Sequence, residues 1–290
     1  MTYETETRRR HLPAAPSMIP NVITLLALAC GLMAIRESIT GRFGLVLIFI
    51  VAQSILDACD GRVARLLNST SPMGAQLDSL CDAIGFGVAP ALVTYMMIRQ
   101  QANSHFITLA WFAALLYTAC IVLRLARFNV DHDDEEIPDY EKEFFTGVPA
   151  PAASWLALAP LVAQLAFGPG WWTSPPFCAG WLILVGCLAF SRLRTFSFKT
   201  VRLRSEQVPG LLLIGAVIIA GFFTEPALTL LVLDVIYLAL IPFALVRHRN
   251  LRQGRPRRQP RHRATGRRLR NKRPRPAPRN DLPAPYEWGA

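Results

Sequence analysis

A stretch between two apolar segments, residues 57–82, reads DACDGRVARLLNSTSPMGAQLDSLCD and contains four aspartates and two arginines. Charged side chains inside a membrane are rare and costly, and where they occur they usually serve a function. The apolar flanks of this stretch therefore decide the fold class, and its charges restrict the chemistry that the protein can perform.

The composition is that of a membrane protein. Hydrophobic residues make up 52% of the 290-residue chain and charged residues only 18%, whereas a soluble domain carries about 25% charged residues. A net charge of +11 would by itself indicate a nucleic-acid-binding protein. However, 15 of the 31 lysines and arginines follow residue 246. The rest of the chain is nearly neutral, which excludes a basic soluble domain.

Eight apolar runs come close to the roughly 20 residues that a helix needs to cross a bilayer. We predict membrane-spanning helices at residues 19–36, 43–60, 79–98, 106–125, 149–168, 177–191, 209–223 and 226–246. The sequence therefore predicts an all-α, polytopic integral membrane helical bundle of about eight transmembrane helices, with both termini on the same side.

The basic residues orient this bundle. With a cytoplasmic N-terminus, 28 of the 31 lysines and arginines lie on the cytoplasmic side, as the positive-inside rule requires. We therefore predict a cytoplasmic leader at 1–17, a membrane-embedded domain at 18–246 and a basic, disordered cytoplasmic tail at 247–290. The expected location is the inner, cytoplasmic membrane, with the 57–82 stretch on its cytoplasmic side.

The tail is rich in arginine and proline and poor in apolar residues, which predicts disorder. Each basic residue near anionic lipid headgroups is worth about 1 kcal/mol, so we expect these headgroups to be its partner. RNA is the alternative partner, but the tail lacks the interleaved aromatic residues of RNA-binding modules.

The four aspartates fall on two helix faces. Asp57 and Asp60 lie three residues apart, and Asp78 and Asp82 lie four apart, and each spacing places its pair on one face of a helix. The intervening LLNSTSPM is typical of a turn between two helices. Two antiparallel helices would then direct four carboxylates at one space, where they repel one another unless cations neutralise them.

A pair of divalent cations explains such a cluster. Oxygen-only ligands favour Mg²⁺ or Mn²⁺ over zinc, and the six cysteines show no CxxC spacing. Gly61 and Gly74 would let a ligand approach the backbone, and Arg65 could hold phosphate oxygens with two parallel hydrogen bonds. A solvated interfacial loop or an intramembrane ion relay would also use carboxylates, but neither explains the glycines and Arg65.

These residues resemble the signature of the CDP-alcohol phosphatidyltransferases. The matching positions are Asp57-x2-Asp60-Gly61-x2-Ala64-Arg65-x8-Gly74-x3-Asp78-x3-Asp82. The resemblance implies a helical membrane enzyme of phospholipid synthesis that transfers a phosphatidyl group from CDP-diacylglycerol to an alcohol and releases CMP. It also implies that the four aspartates bind two metals, that Asp82 deprotonates the acceptor hydroxyl, and that the enzyme is a homodimer.

The remaining site residues lie in the motif and in the first predicted span. We expect the CDP diphosphate to contact Gly61, Ala64, Arg65 and Gly74. Asn21 and Thr24 are the candidate contacts of the nucleotide, and Pro20-Asn21 is also typical of a plain helix start. Direct attack of the alcohol, assisted by metal, needs no covalent enzyme intermediate.

The acceptor must be read from other segments. The stretches IPNVITLLALACG (19–31), RLARFN (124–129) and FFTGVPAPAA (144–153) resemble segments of bacterial family members that use L-serine. Arg124 and Arg127 lie at the cytoplasmic end of a predicted span, where a guanidinium could bind a serine carboxylate or anchor the helix at the headgroups. Glycerol 3-phosphate, inositol or its phosphate, and choline remain alternative acceptors, and a non-catalytic cation-binding membrane protein is the alternative from another class.

Overall fold

The computed structural model describes residues 18–132, 144–191, 194–196 and 208–253. Nearly all of these residues are helical. The helices are α1 (Ile19–Ile39), α2 (Phe43–Leu66), α3 (Pro72–Asp82), α4 (Ala89–Arg99), α5 (Ser104–His132), α6 (Ala150–Phe167), α7 (Pro175–Phe190), α8 (Val208–Thr224) and α9 (Pro226–Gln253). A π-helical segment, Ala83–Val88, joins α3 to α4, and a 3₁₀ turn, Trp171–Thr173, precedes α7. Two three-residue strands, β1 (Phe144–Thr146) and β2 (Arg194–Phe196), pair antiparallel with Phe145 opposite Thr195.

The helices confirm the predicted polytopic membrane bundle. Within the described ranges, five helical segments are long and apolar enough to cross a bilayer, and α7, α8 and the first part of α9 are shorter apolar helices. Each of the eight predicted spans corresponds to one of these segments. Many large apolar side chains face outward, among them Leu212, Ile214 and Phe223 of α8, as expected of a surface in contact with lipid.

Two boundaries differ from the prediction in a way that matters for the aspartates. Helix α2 continues to Leu66, and α3 already begins at Pro72, where the Ser71 side chain accepts a hydrogen bond from the Gly74 N–H (3.0 Å). Proline at the first helical position and serine at the N-cap both favour this start. The cluster residues therefore lie within two helices, nine and six residues before the end of α2 and in the second half of α3, and only five residues separate the two helices.

The predicted terminal segments are only partly described. The leader at 1–17 lies outside the described residues. Helix α9 extends to Gln253, beyond the predicted start of the tail, and 254–290 lie outside the described residues.

The π-helical segment follows directly from the sequence around Pro90. Proline has no N–H to donate to the carbonyl four residues earlier, which here belongs to Phe86. The buried Tyr117 hydroxyl of α5 donates to this carbonyl instead (2.9 Å), and Thr118 donates to the Gly87 carbonyl (3.5 Å). Since π-helical turns are often found at functional sites, the position of this one immediately after Asp82 is notable.

Helix α6 shows the same arrangement. Pro160 lies inside the helix and cannot donate to the Leu156 carbonyl, which accepts the Trp181 indole N–H of α7 at 2.6 Å. Buried carbonyl groups need a partner in an apolar interior. The half-buried Trp181 therefore connects α6 and α7 within the bundle.

Candidate active site

The structure brings three of the four aspartates together and places the fourth beside them. One carboxylate oxygen each of Asp57, Asp60 and Asp78 lies within 4.8 Å of the others. The side chain of Asp82 lies next to that of Asp57. Helix α1 packs against both α2 and α3 and thereby holds the two pairs of carboxylates on facing elements.

Asp60 is the most firmly held member of the cluster. It is 4% exposed, and its Oδ2 accepts a hydrogen bond from the Thr24 hydroxyl of α1 at 2.6 Å. Its Oδ1 accepts the Gly61 N–H at 2.5 Å. The structure thus brings Thr24 to a carboxylate, a contact that fixes the orientation of Asp60.

The glycines of the motif have different surroundings. Apart from the neighbouring residues and backbone of α2 itself, no atom of the described residues lies within 4 Å of a Cβ built on Gly61, so the space beside it is open to a ligand. A Cβ on Gly74 would lie 3.1 Å from Asn21 Oδ1 and 3.2 Å from Ser71 Oγ. Gly74 therefore allows α3 to approach α1, and it brings Asn21 to the same end of the motif.

The other two predicted diphosphate contacts lie on the last turns of α2. Ala64 is half-buried, and Arg65 is exposed. Neither of the ion pairs found among the described residues includes Arg65. Its guanidinium therefore remains available for an anionic ligand.

Two residues near the cluster were missed by sequence reasoning. Gln53 of α2 is 3% exposed and occupies the space left by the missing side chains of Gly31 and Gly85. It thereby joins α1 and the π-helical segment one turn before Asp57. Asn129 of α5 donates to Ser79 Oγ of α3 (3.0 Å). The sequence offered one signal for Asn129, its place in the RLARFN stretch. It offered none for Gln53, because only the fold shows that Gly31 and Gly85 make room for this side chain.

The structure separates the two candidate acceptor residues. Arg124 is 7% exposed, its Nε has no hydrogen-bond partner among the described residues, and neither ion pair found there includes it. It lies within electrostatic range of Asp82. Arg127 instead donates to the carbonyls of Phe190 (3.2 Å) and Ser191 (3.4 Å) and packs over the Phe190 ring.

The donor set fits a divalent cation. Carboxylate oxygens are the ligands that Mg²⁺ and Mn²⁺ prefer, and three of them lie close enough to share one ion. Neither Cys59 nor Cys81, the cysteines nearest in sequence, belongs to this cluster. Fold and site together define a multi-pass membrane protein with a cluster of carboxylates, suited to a divalent cation, on two successive helices.

Comparison with known proteins agrees with this class. Residues 17–191 match the family model described as CDP-alcohol phosphatidyltransferase. Proteins named CDP-diacylglycerol–serine O-phosphatidyltransferase are similar to the chain: one from Mycobacterium leprae is 39% identical over 79% of this chain and 74% of its own length. Those from Mycobacterium tuberculosis (37%, 81% of each chain) and Helicobacter pylori (32%, 64% of this chain and 74% of its own) are also similar.

The chain belongs to the CDP-alcohol phosphatidyltransferase family. Members of this family transfer a phosphatidyl group from CDP-diacylglycerol to an alcohol, and they generally depend on a divalent metal.

Proposed function

We propose that this protein transfers the phosphatidyl group from CDP-diacylglycerol to L-serine and releases phosphatidylserine and CMP. The observation that carries the proposal is the convergence of Asp57 and Asp60 of α2 with Asp78 of α3, with Asp82 next to Asp57. The relatives' names support serine as the acceptor.

The four aspartates would hold two divalent cations, Mg²⁺ or Mn²⁺. When bound, such ions would neutralise the diphosphate and the negative charge that gathers on the departing CMP. The open space beside Gly61 and the exposed Arg65 would receive the diphosphate. Ala64, Gly74 and Asn21 complete this proposed nucleotide site, in which Thr24 acts through Asp60.

Asp82 is the proposed general base. The serine hydroxyl oxygen attacks the phosphorus of the phosphatidyl group while its proton passes to the Asp82 carboxylate. The bond between this phosphorus and the CMP oxygen breaks, and its electron pair leaves with CMP. Asp82 is suited to this role because it lies at the end of α3, where the π-helical segment fixes its backbone.

Arg124 is the proposed contact of the serine carboxylate. Its buried guanidinium forms no ion pair among the described residues, a costly arrangement, and a carboxylate substrate would supply a direct partner. Arg127 is less suited to this role because two backbone carbonyls already accept its hydrogen bonds. We expect it to stabilise the contact between α5 and the end of α7.

The cellular setting extends the proposal. We infer that the enzyme lies in the cytoplasmic membrane with both termini and the aspartate site inside, forms a homodimer, and binds anionic headgroups through a basic tail. The leader, the membrane domain at 18–246 and the tail are its proposed parts. The charge distribution supports this orientation.

An acceptor panel tests the proposed function. Purified protein with CDP-diacylglycerol and Mg²⁺ or Mn²⁺ should release CMP with serine and much less with glycerol 3-phosphate, inositol, inositol phosphate or choline. Chelation of the metal should stop the reaction. CMP release with a different preferred acceptor would contradict serine, and a chain that binds cations but never releases CMP would be a non-catalytic protein.

A further inference from the structure

A cavity of about 620 Å³ lies between α2, α6, α8 and α9. Its lining is almost entirely apolar, with Trp155, Phe222 and Leu230 among the larger side chains. One carboxylate, that of Asp234 on α9, also lines it. A single carboxylate in such surroundings needs an explanation, because an uncompensated polar group in an apolar environment costs free energy.

Asp234 is buried without compensation. It is 7% exposed, and its Oδ2 has no hydrogen-bond partner among the described residues. Ionised carboxylates are disfavoured in such a site, whereas the neutral acid offers an O–H donor. The cavity therefore suits an apolar ligand that carries a hydrogen-bond acceptor at the depth of Asp234.

The cavity lies close to the candidate active site along α2. Ser54 and Val51 of α2 line it, and they precede Asp57 by three and six residues, which is about 4.5 and 9 Å along a helix. On α9, Tyr237 lines the cavity one turn from Asp234 and lies within electrostatic range of Arg124. The α2 side of the cavity is thus one to two helical turns from the aspartates.

The proposed lipid substrate carries hydrogen-bond acceptors at the depth of this cavity. With its diphosphate at the aspartates, the glycerol ester carbonyls of CDP-diacylglycerol follow within a few bonds, and the acyl chains continue into the apolar region. We propose that Asp234 donates a hydrogen bond to an ester carbonyl of the lipid and so favours ester-linked over ether-linked substrates. This inference rests on the proposed function, since it takes CDP-diacylglycerol as the ligand of the aspartate site.

Binding without an acceptor tests this proposal separately from turnover. The full-length protein in nanodiscs, with Mg²⁺ and no serine, is titrated with CDP-diacylglycerol and with a CDP-dialkylglycerol of equal chain length. The parent should bind the ester lipid about 5- to 10-fold more tightly, the factor that one net hydrogen bond supplies. Asp234→Leu should abolish this preference and leave ether-lipid binding unchanged, whereas Asp234→Asn, which keeps an N–H donor, should retain most of it.

Leu233→Ala is the matched control, because Leu233 lines the same cavity without a polar group. Leu233→Ala should weaken the binding of both lipids by the same factor. Equal affinities of the parent for the two lipids would overturn the proposal, as would an ester preference that survives Asp234→Leu. If the ester preference behaves as expected but serine releases no CMP, the proposed function fails while the role of Asp234 stands.

Discussion

At the scale of single residues, the aspartates of the cluster differ in how they are held. Asp60 is fixed by Thr24 and by the Gly61 N–H, whereas Asp82 is linked to the cluster through Asp57. Groups that orient a metal ligand commonly change metal affinity 10- to 100-fold when removed. The environment of Asp60 is therefore typical of a metal ligand. Asp82 is held less firmly, which is compatible with its proposed second role as the general base.

The proposed ligands can be tested by removing one charge at a time. Asp57→Asn, Asp60→Asn and Asp78→Asn should each lower CMP release by orders of magnitude, because three carboxylates cannot neutralise and position two cations as four do. The metal concentration needed for half-maximal residual activity should rise. Ser79→Ala, next to Asp78 on α3, is the control. Near-normal activity of all three aspartate variants at saturating metal would contradict a two-metal site.

Asp82 should behave differently from the other three. Asp82→Asn removes the proposed base, so transfer should be lost while CDP-diacylglycerol binding is retained in part through the remaining carboxylates and Arg65. Single-turnover kinetics combined with equilibrium binding of the CDP-lipid separates these effects. Equal losses of binding and turnover would make Asp82 a binding residue only, and the base would then lie elsewhere.

The two arginines of α5 provide a matched pair. Arg124→Lys keeps the charge but loses the bidentate fork, so the KM for serine should rise about 10-fold or more while the KM for CDP-diacylglycerol changes little. Loss of a contact made equally in the ground and transition states raises KM and leaves kcat unchanged. Arg127→Lys should retain the parental serine KM; an effect on serine from Arg127 alone would reverse the assignment.

At the scale of the elements, the π-helical segment is held from outside by α5. Tyr117→Phe removes the donor to the Phe86 carbonyl and leaves a buried acceptor unsatisfied, at a cost of about 1–3 kcal/mol. We expect a lower melting temperature in detergent and reduced CMP release, because Asp82 immediately precedes this segment. Tyr95→Phe is the control, since Tyr95 makes an edge-to-face contact with Trp111 that survives the loss of the hydroxyl. Equal melting temperatures for both variants would show that the Tyr117 bond contributes little.

The elements also show where sequence reasoning succeeds. The spans and the two faces of the aspartate motif follow from apolar runs and from spacings of three and four residues, which are local properties of the chain. Tyr117 and Phe86, or Trp181 and Leu156, are far apart in sequence, so nothing local predicts that they meet. Pro90 and Pro160 mark carbonyls that need a donor, but which donor supplies it depends on the packing of separate helices.

Asp234 illustrates the same limit at the site. A lone aspartate within an apolar run indicates a function at membrane depth, but the run itself does not show which helices surround it. That Asp234 lines a cavity together with Ser54 and Val51, which lie one to two turns before Asp57 on α2, became visible only with the fold.

At the scale of the whole molecule, the charge distribution and the position of the site both bear on how the protein is oriented in the membrane. The proposed substrate serine and product CMP are water-soluble, so the aspartates must face the compartment that holds them, and we infer from the positive-inside rule that this end of the bundle is cytoplasmic. The loop between α1 and α2 and the loop between α4 and α5 must then face outward. Arg36, Arg42 and Arg99, the three basic residues assigned to the outer side, lie next to these loops.

Cysteine labelling in intact cells tests this orientation. In a cysteine-free parent that still releases CMP with serine, Thr40→Cys and Gln101→Cys should react with a membrane-impermeant maleimide added outside, because both positions are exposed at loops between helices. Thr70→Cys, in the turn between α2 and α3, should react only after the membrane is permeabilised. The cysteine-free parent controls for background labelling. The opposite pattern would place the aspartates on the outer side, away from cytoplasmic serine, and would contradict both the orientation and the proposed supply of the acceptor.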